Sequence, residues 1–198
     1  MAATALLDRL PVPEADAHSP GRLGMVLVLA TEASFFVYLL FAYFYLASMA
    51  NGAWPPGGSP PLQLALPNTV ILVVSSGTMW WAEAGIRKGK QWQLRLGLAV
   101  TLILGMIFLA LQLLEYSRKT FTPASGAYGS LFFTITGFHG AHVVAGLLMN
   151  VVIQVWAWLG QFDARRHLAV STIARYWHLV DVVWIAVLAT LYLTPPLG

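Results

Sequence analysis

Five mostly apolar stretches, residues 23–49, 67–86, 94–116, 128–159 and 172–193, alternate with short polar connections along the chain. A bilayer core is roughly 30 Å thick and a helix rises about 1.5 Å per residue, so about 20 apolar residues make one crossing. Each stretch reaches that length, which predicts an all-α polytopic membrane bundle of five transmembrane helices. The fourth is longer than one perpendicular crossing needs and is expected to tilt or protrude. No connection has room for a soluble domain. Residues 23–193 therefore read as one transmembrane domain, with an N-terminal segment 1–22 and a C-terminal tail 194–198. In the first connection, the prolines of Trp54-Pro55-Pro56-Gly57-Gly58-Ser59-Pro60-Pro61 withhold amide donors and favour extended backbone, predicting an ordered external loop. Segment 1–22 has no apolar core and carries Asp8, Glu14 and Asp16, so neither a cleavable signal peptide nor a mitochondrial transit peptide is expected there.

Composition narrows the class without changing the architecture. Only 10% of the 198 residues are charged and 58% are apolar, whereas a soluble domain carries about 25% charge. A soluble fold and a disordered chain are both excluded. The absence of cysteine removes disulfide scaffolds and thiolate metal sites, and eleven Lys and Arg scattered among apolar runs do not make a nucleic-acid surface. Those eleven charges instead orient the bundle. Arg9, Arg22, Arg87, Lys88, Lys90, Arg95, Arg165, Arg166 and Arg175 fall on one side, and only Arg118 and Lys119 on the other. The positive-inside rule then places the N-terminus in the cytoplasm and the C-terminus outside.

Ionisable groups inside a span cost about 2.5–3.5 kcal/mol each on insertion scales, so each needs a partner or a wet cavity. The candidates are Glu32, His139, His142, His178 and Asp181. Counted along their helices, Glu32 and Asp181 lie about 13 Å in from the cytoplasmic side and His139 about 16 Å in from the outer side, a shared level. His142 and His178 are expected nearer the cytoplasm. One reading is a buried hydrogen-bonded cluster with Glu32 and Asp181 accepting from histidines; the other is that each group is satisfied separately by backbone or water. His139 and His142, three apart, share a helix face, but no third ligand accompanies them, so no metal or haem ligation is expected on this chain. No catalytic constellation is found either.

Gly137, Ala141 and Ala145 form a small-residue stripe suited to close helix packing. Trp54, Trp80, Trp81, Trp92, Tyr116, Tyr128, Trp156 and Trp158 sit near span ends and read as interface anchors. Glu83 with Arg87 reads as a solvated i, i+4 pair, and Glu115 beside Arg118 and Lys119 as a salt bridge at headgroup level.

Several segments, in order, resemble subunit III of the haem-copper respiratory oxidases. They begin with Thr31-Glu32-Ala33-Ser34-Phe35-Phe36, Trp54-Pro55-Pro56, Leu66-Pro67-Asn68-Thr69 and Ser75-Ser76-Gly77. Gln112, Glu115-Tyr116, Phe121-Thr122 and Tyr128-Gly129-Ser130 follow. The longest are Thr136-Gly137-Phe138-His139-Gly140-Ala141-His142-Val143 and Tyr176-Trp177-His178-Leu179-Val180-Asp181-Val182-Val183-Trp184. The chain is similar to the short bacterial form with five helices. The resemblance implies a non-catalytic accessory subunit in a bacterial plasma membrane, packed directly against a larger subunit I that holds the haems and copper. It also implies bound phospholipid, support of proton uptake during O₂ reduction, and a family role for Glu32, His139, His142, His178 and Asp181. Departures are Glu83 where many relatives have histidine, Trp156 where mitochondrial relatives have arginine, and Arg175 where they have an aromatic residue. Alternatives are the subunit III-like accessory protein of nitric oxide reductase, an independent proton-conducting protein using Glu32 and the histidines, and a haem-binding anchor for a quinone enzyme.

Overall fold

The computed structural model describes residues 20–50, 54–56 and 58–194; most of segment 1–22 and of tail 194–198 lies outside the described residues. Five long helices form: α1 (Pro20–Ser48), α2 (Leu62–Arg87), α3 (Gln91–Ser117), α4 (Ala127–Trp158) and α5 (Leu168–Leu188). A π-helical turn, Ala189–Leu193, extends α5. All five are long and apolar enough to cross a membrane, as the sequence predicts. The clearest shift of boundary is at α2, which starts five residues before Pro67 and carries that proline inside its second turn. Pro67 is the sixth residue of the helix, past the amides that lack intrahelical partners, so its missing N–H removes the bond to the Gln63 carbonyl while the helix continues.

Helices α2, α3, α4 and α5 pack each against the next and α2 closes on α5, while α1 leans on α4 and α5. Burial follows this order. The spanning window of α5 is 61% buried and that of α1 only 6%; α1 packs through one stripe, Met25, Leu29, Phe36, Leu39, Tyr43 and Ala47, and turns its other faces outward. On α4 the buried positions Phe132, Ile135, His139, Val143, Gly146, Asn150 and Ile153 recur at three- and four-residue steps and define its inward face.

Small residues set how closely the helices meet. A Cβ added at Gly97 would lie 2.7 Å from the Ala82 Cβ, and Thr78 and Thr101 share a hydroxyl hydrogen bond of 2.7 Å at the same α2–α3 seam. Gly89, with φ of 70°, turns the chain between these helices. At the centre, the fully buried Trp177 of α5 lies against Gly105 of α3 and Gly146 of α4, where an added Cβ would meet its ring at 2.8 Å. Its indole N–H donates to Ser75 Oγ of α2 at 3.0 Å. One side chain thus joins four helices, because two glycines make space for a ring and a serine satisfies its donor.

The α4–α5 connection is closed by Asp163, whose Oδ1 accepts the backbone N–H of Arg166 at 2.7 Å and of Arg165 at 2.8 Å. These bonds, with the Arg166 guanidinium, hold its carboxyl below the usual range. A carboxyl depressed in the folded turn favours that turn above its ordinary value and loses the contribution as pH falls through the lowered one. Amide protection factors at Arg165 and Arg166 should therefore drop in acid; equal protection at neutral and acid pH would contradict this.

Candidate functional site

The five ionisable candidates are not gathered into one cluster. Glu32 of α1 meets His142 of α4 through Oε2 and Nε2 at 2.9 Å. His142 Nδ1 lies 2.7 Å from the Phe138 carbonyl oxygen, which can only accept, so Nδ1 carries a hydrogen. A proton must then sit between Nε2 and Oε2. The Glu32 side chain is 34% exposed, on the outward face of the bundle. Tyr176 of α5 adds an O–H bond to the His142 carbonyl at 3.2 Å, and the Phe36 ring packs on the imidazole. Glu32→Ala is expected to weaken the α1–α4 contact and leave the Trp177 core in place. Faster proteolysis of the first connection at unchanged tryptophan fluorescence checks this, and unaltered proteolysis would contradict it.

His139, one turn earlier on α4, points elsewhere, into a cage of Phe36, Phe108 and Trp184 rings. It is 1% exposed and neither ring nitrogen has a hydrogen-bond partner. Since His139 and His142 diverge, they do not converge on a common ligand. Among the described residues, no three His, Cys, Asp or Glu side chains gather in a metal-binding arrangement. On the opposite flank, His178 of α5 shares a 2.5 Å hydrogen bond with Ser76 of α2. Asp181, one turn along α5, is 4% exposed with both carboxyl oxygens unpartnered. Neither Asp181 nor His178 bonds to Glu32. The expected bonds from histidine to carboxylate are present for Glu32 and absent for Asp181.

The α2–α5 seam carries a polar file absent from the candidates. Thr69 accepts from the Trp184 indole at 2.9 Å, Ser75 from Trp177, and Ser76 pairs with His178. The spacing 69, 76 with 75 beside it is the available signal, since hydroxyls one to two turns apart line one helix face. Buried and without partners are also Asn68 and Gln112. At the C-terminal end of α3, Glu115 accepts from Lys119 at 2.8 Å and from Tyr192 at 2.6 Å. This salt bridge is formed as expected from sequence but is buried, with side chains 5% and 7% exposed, and Lys119 also lies over the Phe132 and Tyr192 rings.

In the small-residue stripe, a Cβ on Gly137 meets nothing within 4 Å and Ala141 is exposed, while Ala145 is half-buried against the core. The reason is angular, because the inward face of α4 runs through His139, Val143 and Gly146. Gly137 and Gly140 instead line an open groove of about 240 Å³ with Gln112 and Tyr116. Trp54 and Tyr128 are buried in an aromatic group with Tyr43 rather than anchored at the interface. Trp80, Trp92 and Trp158 are exposed.

The comparisons with known proteins agree with the sequence motifs. The family model for cytochrome c oxidase subunit III matches residues 16–195. Similar proteins include the cytochrome c oxidase subunit 3 of Ornithorhynchus anatinus and that of Cyprinus carpio, each 40% identical over 179 residues. That of Scyliorhinus canicula is 39% identical over the same length, and in all three the alignment covers 86% of this chain and 68% of the relative. Five membrane-length helices, the embedded Glu32–His142 pair and a match across nearly the whole described chain lead to one assignment: the chain belongs to the cytochrome c oxidase subunit III family.

Proposed function

We propose that this multi-pass subunit of a haem-copper oxidase is a non-catalytic one that packs directly against subunit I, the chain expected to hold the haems and copper. In this reading it stabilises subunit I, binds phospholipid and supports proton uptake during O₂ reduction, in a bacterial plasma membrane with its N-terminus cytoplasmic. The observation that supports the reading is the separation of the embedded ionisable groups. Glu32 and His142 form a hydrogen-bonded pair at the rim, His139 is enclosed by rings, and His178 and Asp181 lie on another seam. The five groups are divided among separate seams rather than joined into one relay, and their polar contacts fix helix positions. The outward face of α1, with Leu23, Leu27, Val37, Tyr38 and Phe41 exposed, leaves apolar area for lipid and neighbouring chains.

The test is purification of the tagged chain in mild detergent, with identification of the co-purifying chains and an optical spectrum. The expected result is recovery with a haem-copper subunit whose haem bands account for the whole absorbance. Recovery alone, or a stoichiometric haem on the isolated chain, would overturn the reading.

A further inference from the structure

Along α5, the residues that reach the surface recur at three- and four-residue steps: Arg175, His178, Val182 and Ile185. They form one stripe that looks away from the bundle, since Trp177, Asp181 and Trp184 between them are buried. Two of the four are hydrogen-bond donors. At 1.5 Å per residue, Arg175 lies about 10 Å and His178 about 15 Å along α5 from its start, so both stand within the spanning helix. Neither donor is satisfied within the chain. The Ser76 hydroxyl sits 2.5 Å from His178 Nδ1 and meets no other acceptor among the described residues, so it donates to the ring. In the neutral imidazole the hydrogen then sits on Nε2. That nitrogen has no hydrogen-bond partner among the described residues and is not one of the enclosed polar atoms, so it opens at the surface. Arg175 is half-buried and makes no hydrogen bond or ion pair among the described residues. The spanning carboxylates do not serve it: Glu83 bonds to Arg87, Glu32 to His142, and both oxygens of Asp181 are without a partner.

We propose that this stripe is the docking face for a membrane helix of a neighbouring subunit that carries a carboxylate, Asp or Glu, opposite Arg175 and His178. Residues three apart on a helix stand about 5–6 Å apart at Cβ, so one carboxylate accepts from the guanidinium with one oxygen and from the Nε2–H with the other. Acyl chains offer neither donor an acceptor, and leaving a cation and an imidazole N–H bare in hydrocarbon is costly. A headgroup phosphate does not replace the carboxylate: a long arginine reaches the membrane boundary by extending along the helix, whereas His178, one turn deeper and held by Ser76, does not. The apolar part of the face is supplied by Val182 and Ile185 and, across the seam on α2, by Val73 and Trp80, all exposed. On the same helix, a Cβ added at Gly77 meets nothing within 4 Å, which leaves room for a closely packed backbone. The proposal rests on the reading of this chain as one subunit of a membrane complex; it specifies the face that is covered and the chemistry of the residue that meets it.

The first test is photo-crosslinking in the intact complex, with the side chain of Val182 replaced by a benzophenone and the joined peptides identified by mass spectrometry. Val182 is exposed, so the change leaves the packing of this chain undisturbed. Expected is a product with a membrane helix of another subunit that has Asp or Glu within one turn of the joined residue. A product with a helix lacking an acidic residue, or with lipid alone, would overturn the proposal. The second test is the rate at which this chain leaves the complex in mild detergent. Arg175→Met should speed release about tenfold, the worth of one charge-assisted hydrogen bond. Changing the partner's carboxylate to its amide in the Arg175→Met background should bring the rate back toward that of the parent, because no unpaired carboxylate then remains. Release of the Arg175→Met chain at the parental rate, or additive effects of the two changes, would overturn the proposal. Equal acceleration by Arg165→Met, in the exposed α4–α5 turn, would do so as well, since it would make the effect one of general charge. Co-purification of a haem subunit with the parent chain reports on the oxidase reading separately, so the two fail independently.

Discussion

Lys119→Met is expected to lower the unfolding free energy by about 3–5 kcal/mol, the usual effect of removing one partner of a buried ion pair. The pair is worth little more than a packed apolar substitute while intact, since desolvation offsets most of the Coulomb gain. Its loss is costly because Glu115 stays behind, with a side chain 5% exposed and only the Tyr192 hydroxyl as donor. The cation also lies 4.7 Å from the Phe132 ring centroid and 5.3 Å from that of Tyr192, contacts that disappear with it. Adding Glu115→Gln should recover most of the loss, because a neutral amide oxygen still accepts from Tyr192. Reversible unfolding in mixed micelles, followed by tryptophan fluorescence, measures both. A Lys119→Met protein within about 0.5 kcal/mol of the parent, the range of ordinary surface substitutions, would show that the pair is not buried as described.

The second large effect is expected at the centre. Trp177→Ala should cost about 3–5 kcal/mol through the cavity it opens between Gly105 and Gly146 and the loss of the bond to Ser75. In lipid, burial against another helix brings no gain over burial against acyl chains, so the cost comes from lost dispersion contacts and the hydrogen bond. Gly146→Val alone should also destabilise, because its Cβ would stand 2.8 Å from the indole. In the Trp177→Ala background the same change should be harmless or helpful, since the added methyls occupy the vacated volume. Additive losses in the same unfolding assay would contradict the packing described for these three residues.

Much of the architecture was legible because membrane thickness converts directly into helix length. Five apolar runs gave five helices, and boundaries moved mainly where a proline near a helix start, Pro67, looked like an edge. Which way each helix faces was much less legible. For a soluble helix, polar residues mark the outside, but lipid and core are both apolar, so α1 carries no such mark around Phe36 and Tyr43. Depth counting brought Glu32, His139 and Asp181 to one level, yet level without azimuth does not make contact. His139 turned into the aromatic cage while His142, three residues on, turned to Glu32. Gly137 and Gly140 show the same gap: small residues suit a close helix contact, and they suit an open groove equally well. Gly105 and Gly146 became informative only once Trp177 was placed between them.

Glu115 illustrates a related gap. Its i, i+4 relation to Lys119 was visible, but the burial of the pair depends on Tyr192 arriving from the π-helical turn after α5, a contact spanning 77 positions in sequence. No local pattern carries that information. Trp54 likewise reads as an interface anchor by position, and is drawn inward because Tyr43 and Tyr128 offer ring edges at 5.6 and 5.5 Å.

The central claim is that this chain supports an oxidase without carrying out its redox chemistry. The most direct measurement is the time course of O₂ consumption by the oxidase purified with this chain and after its removal, at matched haem content. The account predicts an initial rate that persists without the chain and a faster decline during turnover. Complete loss of the initial rate with the haem spectrum intact would contradict it.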